Sequence, residues 1–450
     1  MNTTVSNRRE FNPNIKKMEL YTLRETDVNP ASERAIKLCR PIIEGRLGDA
    51  TKFGLKRPQR LTELFAKAAE MDLGYTNAPG FPELREELAR LHSSYGVDAN
   101  QIFVGAGISG VVRSMFDVLI AEGNEVAIPE YSYIVYLAES TRMGARIRNV
   151  CLQDDGQIDT DHLRNGITEN TKVVVLTTVG NPLGVAIKEE TFAEVVKIIN
   201  EKERQYDHPI YLIADTIYEK LRSQAEPLNP IAISCKEGRT GPTIQVNSLS
   251  KLYVSPGERL GWAKVFWGER FREQKEEFLR LMVNVIQPTL GQVQTRIQWA
   301  FAQYLKERRT DKTAKTAHEQ FITEMSAEVH RRVLAFVTEL SEIPGVVFTR
   351  YCKTKDGRYD FSRAHESYYT LWGPDQDIRR RGQLSLAREL ADFLVENEMT
   401  VMLGTPGDSF LEETLRGQKQ EYMRVVALFD DESRAKAIEG IAAYMESIRK

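Results

Sequence analysis

A chain of 450 residues, 42% hydrophobic and 28% charged, is long enough for two core-bearing domains, because a single core stops growing at roughly 250–300 residues. Its 61 basic and 64 acidic residues are well mixed and leave a net charge of -3, so nothing in the balance recruits nucleic acid or an anionic membrane. The 4 cysteines (Cys39, Cys151, Cys235, Cys352) form no CxxC pair and the 6 histidines no HxxxH pair, which argues against a disulfide frame, a metal site and an oxidising compartment.

Residues 1–10 are polar and lack the apolar core of a signal peptide. No apolar run reaches the about 18 residues of a membrane span, so a cytoplasmic protein is expected. From residue 101 onward, short apolar runs alternate with helical stretches. Strands are predicted over 101–105, 125–129, 172–178, 210–215, 244–248 and 260–266, which are β-branched, nearly continuous in hydrophobicity, and bounded by Gly, Pro, Asn or Asp. Helical periodicity intervenes at 110–121, 131–143, 190–203 and 269–283. The alternation predicts an α/β domain with a mostly parallel sheet covered on both faces. After about residue 310 the character changes. A long amphipathic helix to 341, strands at 346–350 and 368–372, a helix at 384–397, strands at 400–403 and 421–428, and a last helix predict a smaller α+β domain.

The chemistry-bearing residues sit at the ends of the predicted strands. Ser248-Leu-Ser250-Lys251 follows one strand, and Pro256-Gly257-Glu258-Arg259 comes just after it. A lysine at a strand end is usually a solvated residue. Flanked by two serines and followed by an arginine-bearing turn, it also suits one cofactor holding two groups: a phosphate that needs hydroxyls and an Arg fork, and an aldehyde that an amine captures as a Schiff base. Asp215 ends the strand Tyr211-Leu-Ile-Ala-Asp215. It serves either as a helix N-cap or as the buried carboxylate that keeps a pyridine nitrogen protonated. Tyr218 is placed to reach a ring hydroxyl. Asn181-Pro182-Leu183-Gly184 is a generic turn or a donor to the same oxygen. Gly107-Ile108-Ser109-Gly110 opens a helix after a strand and offers N–H groups to an anion, although it lacks the spaced dinucleotide fingerprint. Tyr131 is either core or a stacking partner for a planar ring.

Taken together, these motifs resemble the fold-type I pyridoxal 5'-phosphate (PLP) dependent aminotransferases over nearly the full length. Gly107-Ile-Ser-Gly-Val-Val-Arg-Ser-Met-Phe-Asp-Val-Leu, Pro129-Glu-Tyr, Asn181-Pro-Leu-Gly, Ala214-Asp-Thr-Ile-Tyr and Ser248-Leu-Ser-Lys…Arg259 stand in that family's order and spacing. Phe11-Asn-Pro-Asn-Ile-Lys-Lys-Met-Glu-Leu-Tyr and Leu47-Gly-Asp-Ala-Thr-Lys-Phe-Gly look like its alanine aminotransferase branch. The resemblance implies a large PLP-binding domain at 71–310, a small domain at 311–450, and an N-terminal arm at 1–70 that packs partly with the small domain.

Position by position, the resemblance implies that Lys251 bonds PLP and shuttles the substrate proton. It implies that Asp215 pairs with the ring nitrogen, Tyr218 and Asn181 with the ring oxygen, and that Tyr131 stacks on the ring. Gly107, Ile108, Ser109, Ser248 and Arg259 would cradle the phosphate. Tyr75 would reach the phosphate of a neighbouring subunit, which makes a homodimer with shared sites the expected assembly. Gly48 and Arg424 would hold the substrate carboxylate, with Asn181 beside them. Leu183 and Thr216 depart from the usual Thr and Glu of the family, and 364–369 (Ala364, His365, Glu366, Ser367, Tyr368, Tyr369) replaces its usual Pro-x-Gly-x-Phe-Tyr. The expected reaction is ping-pong amino transfer between a small L-amino acid and a 2-keto acid. A PLP-dependent lyase or decarboxylase on the same scaffold is the alternative.

Overall fold

The computed structural model describes residues 12–25, 27–222, 227–289, 292–354, 356–361, 366–378, 384–411, 415 and 421–449. The decapeptide 1–10, Phe11 and the departures at Ala364 and His365 lie outside the described residues. The chain begins with helices α1 (Pro13–Glu25) and α2 (Asn29–Lys37), strand β1 (Ile42–Glu44), and helices α3 (Gln59–Ala69) and α4 (Pro82–Arg90).

Seven strands then form one sheet: β2 (Ile102–Ala106), β3 (Glu125–Pro129), β4 (Arg146–Val150), β5 (Thr171–Thr177), β6 (Tyr211–Asp215), β7 (Pro242–Ser248) and β8 (Leu260–Trp267). Their order is β2-β8-β7-β6-β5-β3-β4. Pairs among β3 to β7 are parallel, while β8 runs antiparallel to both β2 and β7. The predicted mostly parallel sheet is therefore present. Helices α5 (Gly107–Leu119), α6 (Ile134–Arg142), α7 (Thr160–Gly166), α8 (Glu189–Tyr206), α9 (Pro230–Lys236) and α10 (Arg272–Thr289) connect or cover the strands. Val173, Val174 and Val175 are fully buried on both faces of β5, as a strand sandwiched between helices requires.

Two helices, α11 (Thr295–Thr310) and α12 (Lys312–Ser341), lead to the second unit. There β9 (Val346–Phe348), β10 (Tyr369–Pro374), helix α13 (Leu386–Glu396), β11 (Val401–Leu403), β12 (Thr405–Pro406), β13 (Met423–Val426) and helix α14 (Asp431–Arg449) complete the chain. Its four-stranded sheet is antiparallel in the order β12-β13-β10-β9. Strand β1 pairs in parallel with β11, Ile42 opposite Val401, so the N-terminal segment lies against the C-terminal unit.

Parallel strands bring their carboxyl ends to one edge, and a crevice forms outside that edge. β5, β6 and β7 end there at Thr177, Asp215 and Ser248. Because β8 is antiparallel, its amino end reaches the same edge, with Ala106 opposite Leu260. That register sets Arg259 beside Gly107 at the mouth of α5.

Candidate active site

A cavity of about 470 Å³ opens at this edge. Gly48, Gly107, Ile108, Ser109, Asn181, Asp215, Tyr218, Ser248, Lys251, Arg259 and Arg424 all line it. The structure thus gathers every predicted site residue except Tyr131 and Tyr75.

The centre of the cavity pairs an amine with a buried carboxyl. Lys251 follows β7 in a turn closed by the Val254 N–H to Lys251 O bond. Its Nζ donates to Gly48 O at 2.7 Å and to Tyr369 Oη at 3.4 Å, and no carboxylate pairs with it among the described residues. Asp215, at the tip of β6, is 2% exposed. It accepts from Tyr136 Oη at 2.8 Å and from the Ile217 N–H at 3.1 Å. Burial pushes its carboxyl up to about 6 against those hydrogen bonds and the Lys251 charge. Among the described residues no cation bonds this carboxyl, so it fits a partner such as a protonated ring nitrogen.

One end of the cavity is built for a phosphate. Helix α5 begins at Gly107 with φ +70°, a conformation glycine adopts freely, and a Cβ there would lie 2.7 Å from Arg259 Nη2. The Gly107 N–H donates to Arg259 O at 2.9 Å. Among the described residues the Arg259 guanidinium makes only long bonds, to Pro256 O at 3.2 Å and Ala106 O at 3.3 Å. Ser248 Oγ accepts from the Ser250 N–H at 3.1 Å, which leaves its hydroxyl proton to a ligand. Ser109 and Ile108 stand in the first turn of α5, where the N–H groups and the helix dipole favour negative charge.

The opposite end is built for a carboxylate. Arg424, on β13, is 5% exposed and lies between two rings, its guanidinium carbon 4.6 Å from both the Tyr369 and the Phe410 centroids. It donates to Arg46 O, to Thr405 Oγ1 at 3.2 Å and to Asn181 Oδ1 at 3.3 Å. Its Nε is buried without a partner, and no carboxylate of the described residues pairs with the guanidinium. A buried cation held in place by neutral acceptors is ready for an anionic ligand. The amine, the buried carboxyl, the phosphate cradle and this guanidinium together fit PLP and an amino acid. By contrast, the described residues contain no cluster that could hold a metal ion.

Tyr131 requires a correction. It does not line the cavity: its backbone is left-handed at φ +57°, and its ring packs edge-on against Tyr351 at 6.4 Å. Tyr133, two residues on, lines the cavity instead. Tyr75 is fully exposed and lines no part of the cavity of its own chain. Residues missed in the sequence include Tyr133, Tyr136 and Tyr369. A Pro129-x-x-x-Tyr133-x-x-Tyr136 spacing, one helical turn between the tyrosines, is the signal for the first two. Tyr369 ends the 364–369 segment and comes from β10 of the second unit, and nothing in that segment signals its contact with Lys251.

Comparison with known proteins agrees with this geometry. The sequence model of the family described as Aminotransferase class I and II matches residues 48–356. The alanine aminotransferase of Mycobacterium tuberculosis is 24% identical over 420 residues, 91% of this chain and 86% of that protein. A probable aspartate aminotransferase of Methanocaldococcus jannaschii is 27% identical over 251 residues, and the match spans 62% of its length and 55% of this chain. Among solved structures, an alanine aminotransferase from Pyrococcus furiosus superposes with a TM-score of 0.78 at 22% identity, covering 97% of this chain and 100% of that one. That superposition shows the same fold, fold type I.

Proposed function

Because the chain belongs to the class I and II aminotransferase family and is a PLP-dependent transaminase, we propose that it transfers the amino group of a small L-amino acid to a 2-keto acid in a ping-pong sequence. Alanine with 2-oxoglutarate is the leading pair. The observation that carries this reading is the single cavity holding the Lys251 amine, the Asp215 carboxyl and the unpaired Nε of Arg424.

PLP, when bound, supplies an aldehyde for amines and a ring that takes up electrons as the substrate Cα–H bond breaks. Lys251 Nζ would hold the cofactor and, when free, would take and return the Cα proton. Asp215 holds the proton on the ring nitrogen, and the Tyr136 hydroxyl fixes that carboxyl in place. Tyr218 and Asn181 bind the ring oxygen, while Ile108 N–H, Ser109, Ser248 and Arg259 bind the phosphate from the mouth of α5. The stacking role first expected of Tyr131 passes to Tyr133. Arg424 clamps the substrate carboxylate, with Gly48 and Asn181 beside it, and so fixes which Cα bond stands across the ring.

The full exposure of Tyr75 supports a homodimer in which this tyrosine completes the partner's phosphate site. The pairing of β1 with β11 supports a division into a large domain at 71–310 and a small domain at 311–450, with the arm at 1–70 joined to the latter. No helix among the described residues is long and apolar enough to cross a membrane, in keeping with a cytoplasmic enzyme.

The test is a panel of amino acids crossed with pyruvate and 2-oxoglutarate. Stoichiometric exchange of amino and keto groups is expected, fastest with alanine and 2-oxoglutarate. Release of carbon dioxide or ammonia without amination of the acceptor would instead assign a decarboxylase or lyase.

A further inference from the structure

The Lys251 amine rests in a cage. The rings of Tyr218, Tyr368 and Tyr369 stand 5.8, 5.7 and 5.9 Å from its Nζ, and Gly48 O and Tyr369 Oη are its hydrogen-bond acceptors. Tyr369 is buried at the start of β10, and its oxygen has an unusual set of contacts. It accepts from Lys251 Nζ at 3.4 Å and from Tyr218 Oη at 3.1 Å. Its own hydroxyl proton makes no hydrogen bond among the described residues. An oxygen that receives two hydrogen bonds and gives none is arranged to carry negative charge.

The surroundings point the same way. The groups facing Tyr369 are Lys251, Arg424, Tyr218 and Tyr368. Two are cations, two are neutral phenols, and no carboxylate of the described residues bonds it. The Arg424 guanidinium lies 4.6 Å from the same ring. Tyr368 turns its hydroxyl away, to Lys251 O at 2.8 Å. Room for the contact exists only because residue 48 is glycine. A Cβ there would overlap Tyr369 Oη and come within 2.6 Å of Lys251 Nζ.

We propose that Tyr369 is the proton-accepting partner of Lys251: whenever the amine is not bonded to the cofactor, Tyr369 Oη and Gly48 O hold it, and Tyr369 takes one of its protons. The step balances without any other reactant. An Nζ–H bond breaks and leaves its electron pair on nitrogen, an O–H bond forms on the phenolate, and ammonium plus phenolate become amine plus phenol. The neutral amine is the form that accepts a Cα proton or attacks an aldehyde. Burial alone raises the Tyr369 hydroxyl, but the Lys251 and Arg424 charges, with the hydrogen bonds from Tyr218 and Lys251, bring it below the ordinary tyrosine value. The same burial pushes Tyr218 and Tyr368 up. The inference rests on the reading of Lys251 as the cofactor-bearing amine.

The experiment uses cofactor-free full-length protein without substrate, titrated by the near-ultraviolet absorbance of tyrosinate. One tyrosine should ionise below all the others. That step should vanish in Tyr369→Phe and move up by about one to three pH units in Lys251→Ala, the shift a nearby opposite charge produces. Persistence of the early step in Tyr369→Phe, an unmoved step in Lys251→Ala, or no early step in the wild type would each overturn the proposal. Should Tyr369→Phe fail to fold, Lys251→Ala alone decides. In loaded enzyme, Tyr369→Phe should lower kcat by about 100-fold or more with KM for the amino acid nearly unchanged, the usual scale of a lost acid–base partner. An unchanged kcat would also overturn it. If instead no amino acid is transaminated but the titration behaves as stated, the functional reading fails and the Lys251–Tyr369 pair stands.

Discussion

Replacing Arg424 with lysine tests how the substrate is held. The guanidinium is anchored by Arg46 O, Thr405 Oγ1 and Asn181 Oδ1 and lies between the Tyr369 and Phe410 rings, with its Nε edge left unpaired. Lysine keeps the charge and loses the planar fork, so one of two charge-assisted hydrogen bonds to a carboxylate disappears. A hydrogen bond to a charged group contributes about 1.5–3 kcal/mol, so kcat/KM should fall roughly 10- to 150-fold. The assay compares the first half-reaction on alanine with that on ethylamine, which is the same amine without the carboxylate. Arg424→Lys should slow alanine by that factor and leave ethylamine within about threefold of the wild-type rate. Equal losses on both would refute the carboxylate clamp and make Arg424 a packing residue.

Two further outcomes follow from the cofactor end of the cavity. Gly107→Ala forces a Cβ into a position with φ +70° and within 2.7 Å of Arg259 Nη2, so PLP affinity should fall about 10-fold or more in equilibrium dialysis; an unchanged Kd would contradict the cradle. In the cofactor-free protein, Asp215 is pushed up to about 6 from an ordinary 3.8, so the folded state binds that proton more tightly than the unfolded one. Its stabilising contribution is complete below pH about 4 and is lost as pH rises through about 6, a change of about 3 kcal/mol. Denaturant unfolding at pH 3 to 8 should show this decline in the wild type, and Asp215→Asn should lack it; parallel curves would contradict a buried, unpaired carboxyl.

Legibility in the sequence followed how local each constraint is. Strand β5 was readable because both faces are covered, so Val173 to Leu176 form an unbroken apolar run. β4 was not, since Arg146-Ile-Arg148-Asn-Val150 is an edge strand whose alternate side chains face solvent and whose Arg148 pairs with buried Glu125. Asp215, Ser248, Lys251 and Arg259 were readable because each ends or begins a strand at the same edge of the sheet. The choice between Tyr131 and Tyr133 hung on one left-handed residue that sequence alone does not reveal. Tyr369 and Arg424 approach the amine through the register of β10 with β13, where Leu371 faces Arg424. Strand ends within the large sheet gave no sign of that approach. For Arg424 the family resemblance supplied what periodicity did not, and the bond between Tyr369 and Lys251 emerged only from the folded geometry.

Borohydride reduction of PLP-loaded protein, followed by peptide mapping, is the most direct trial of the site as a whole. One labelled lysine per chain is expected, at Lys251, with labelling abolished in Lys251→Ala. A label on another lysine, such as the buried Lys264, or no reducible adduct at all, would contradict it.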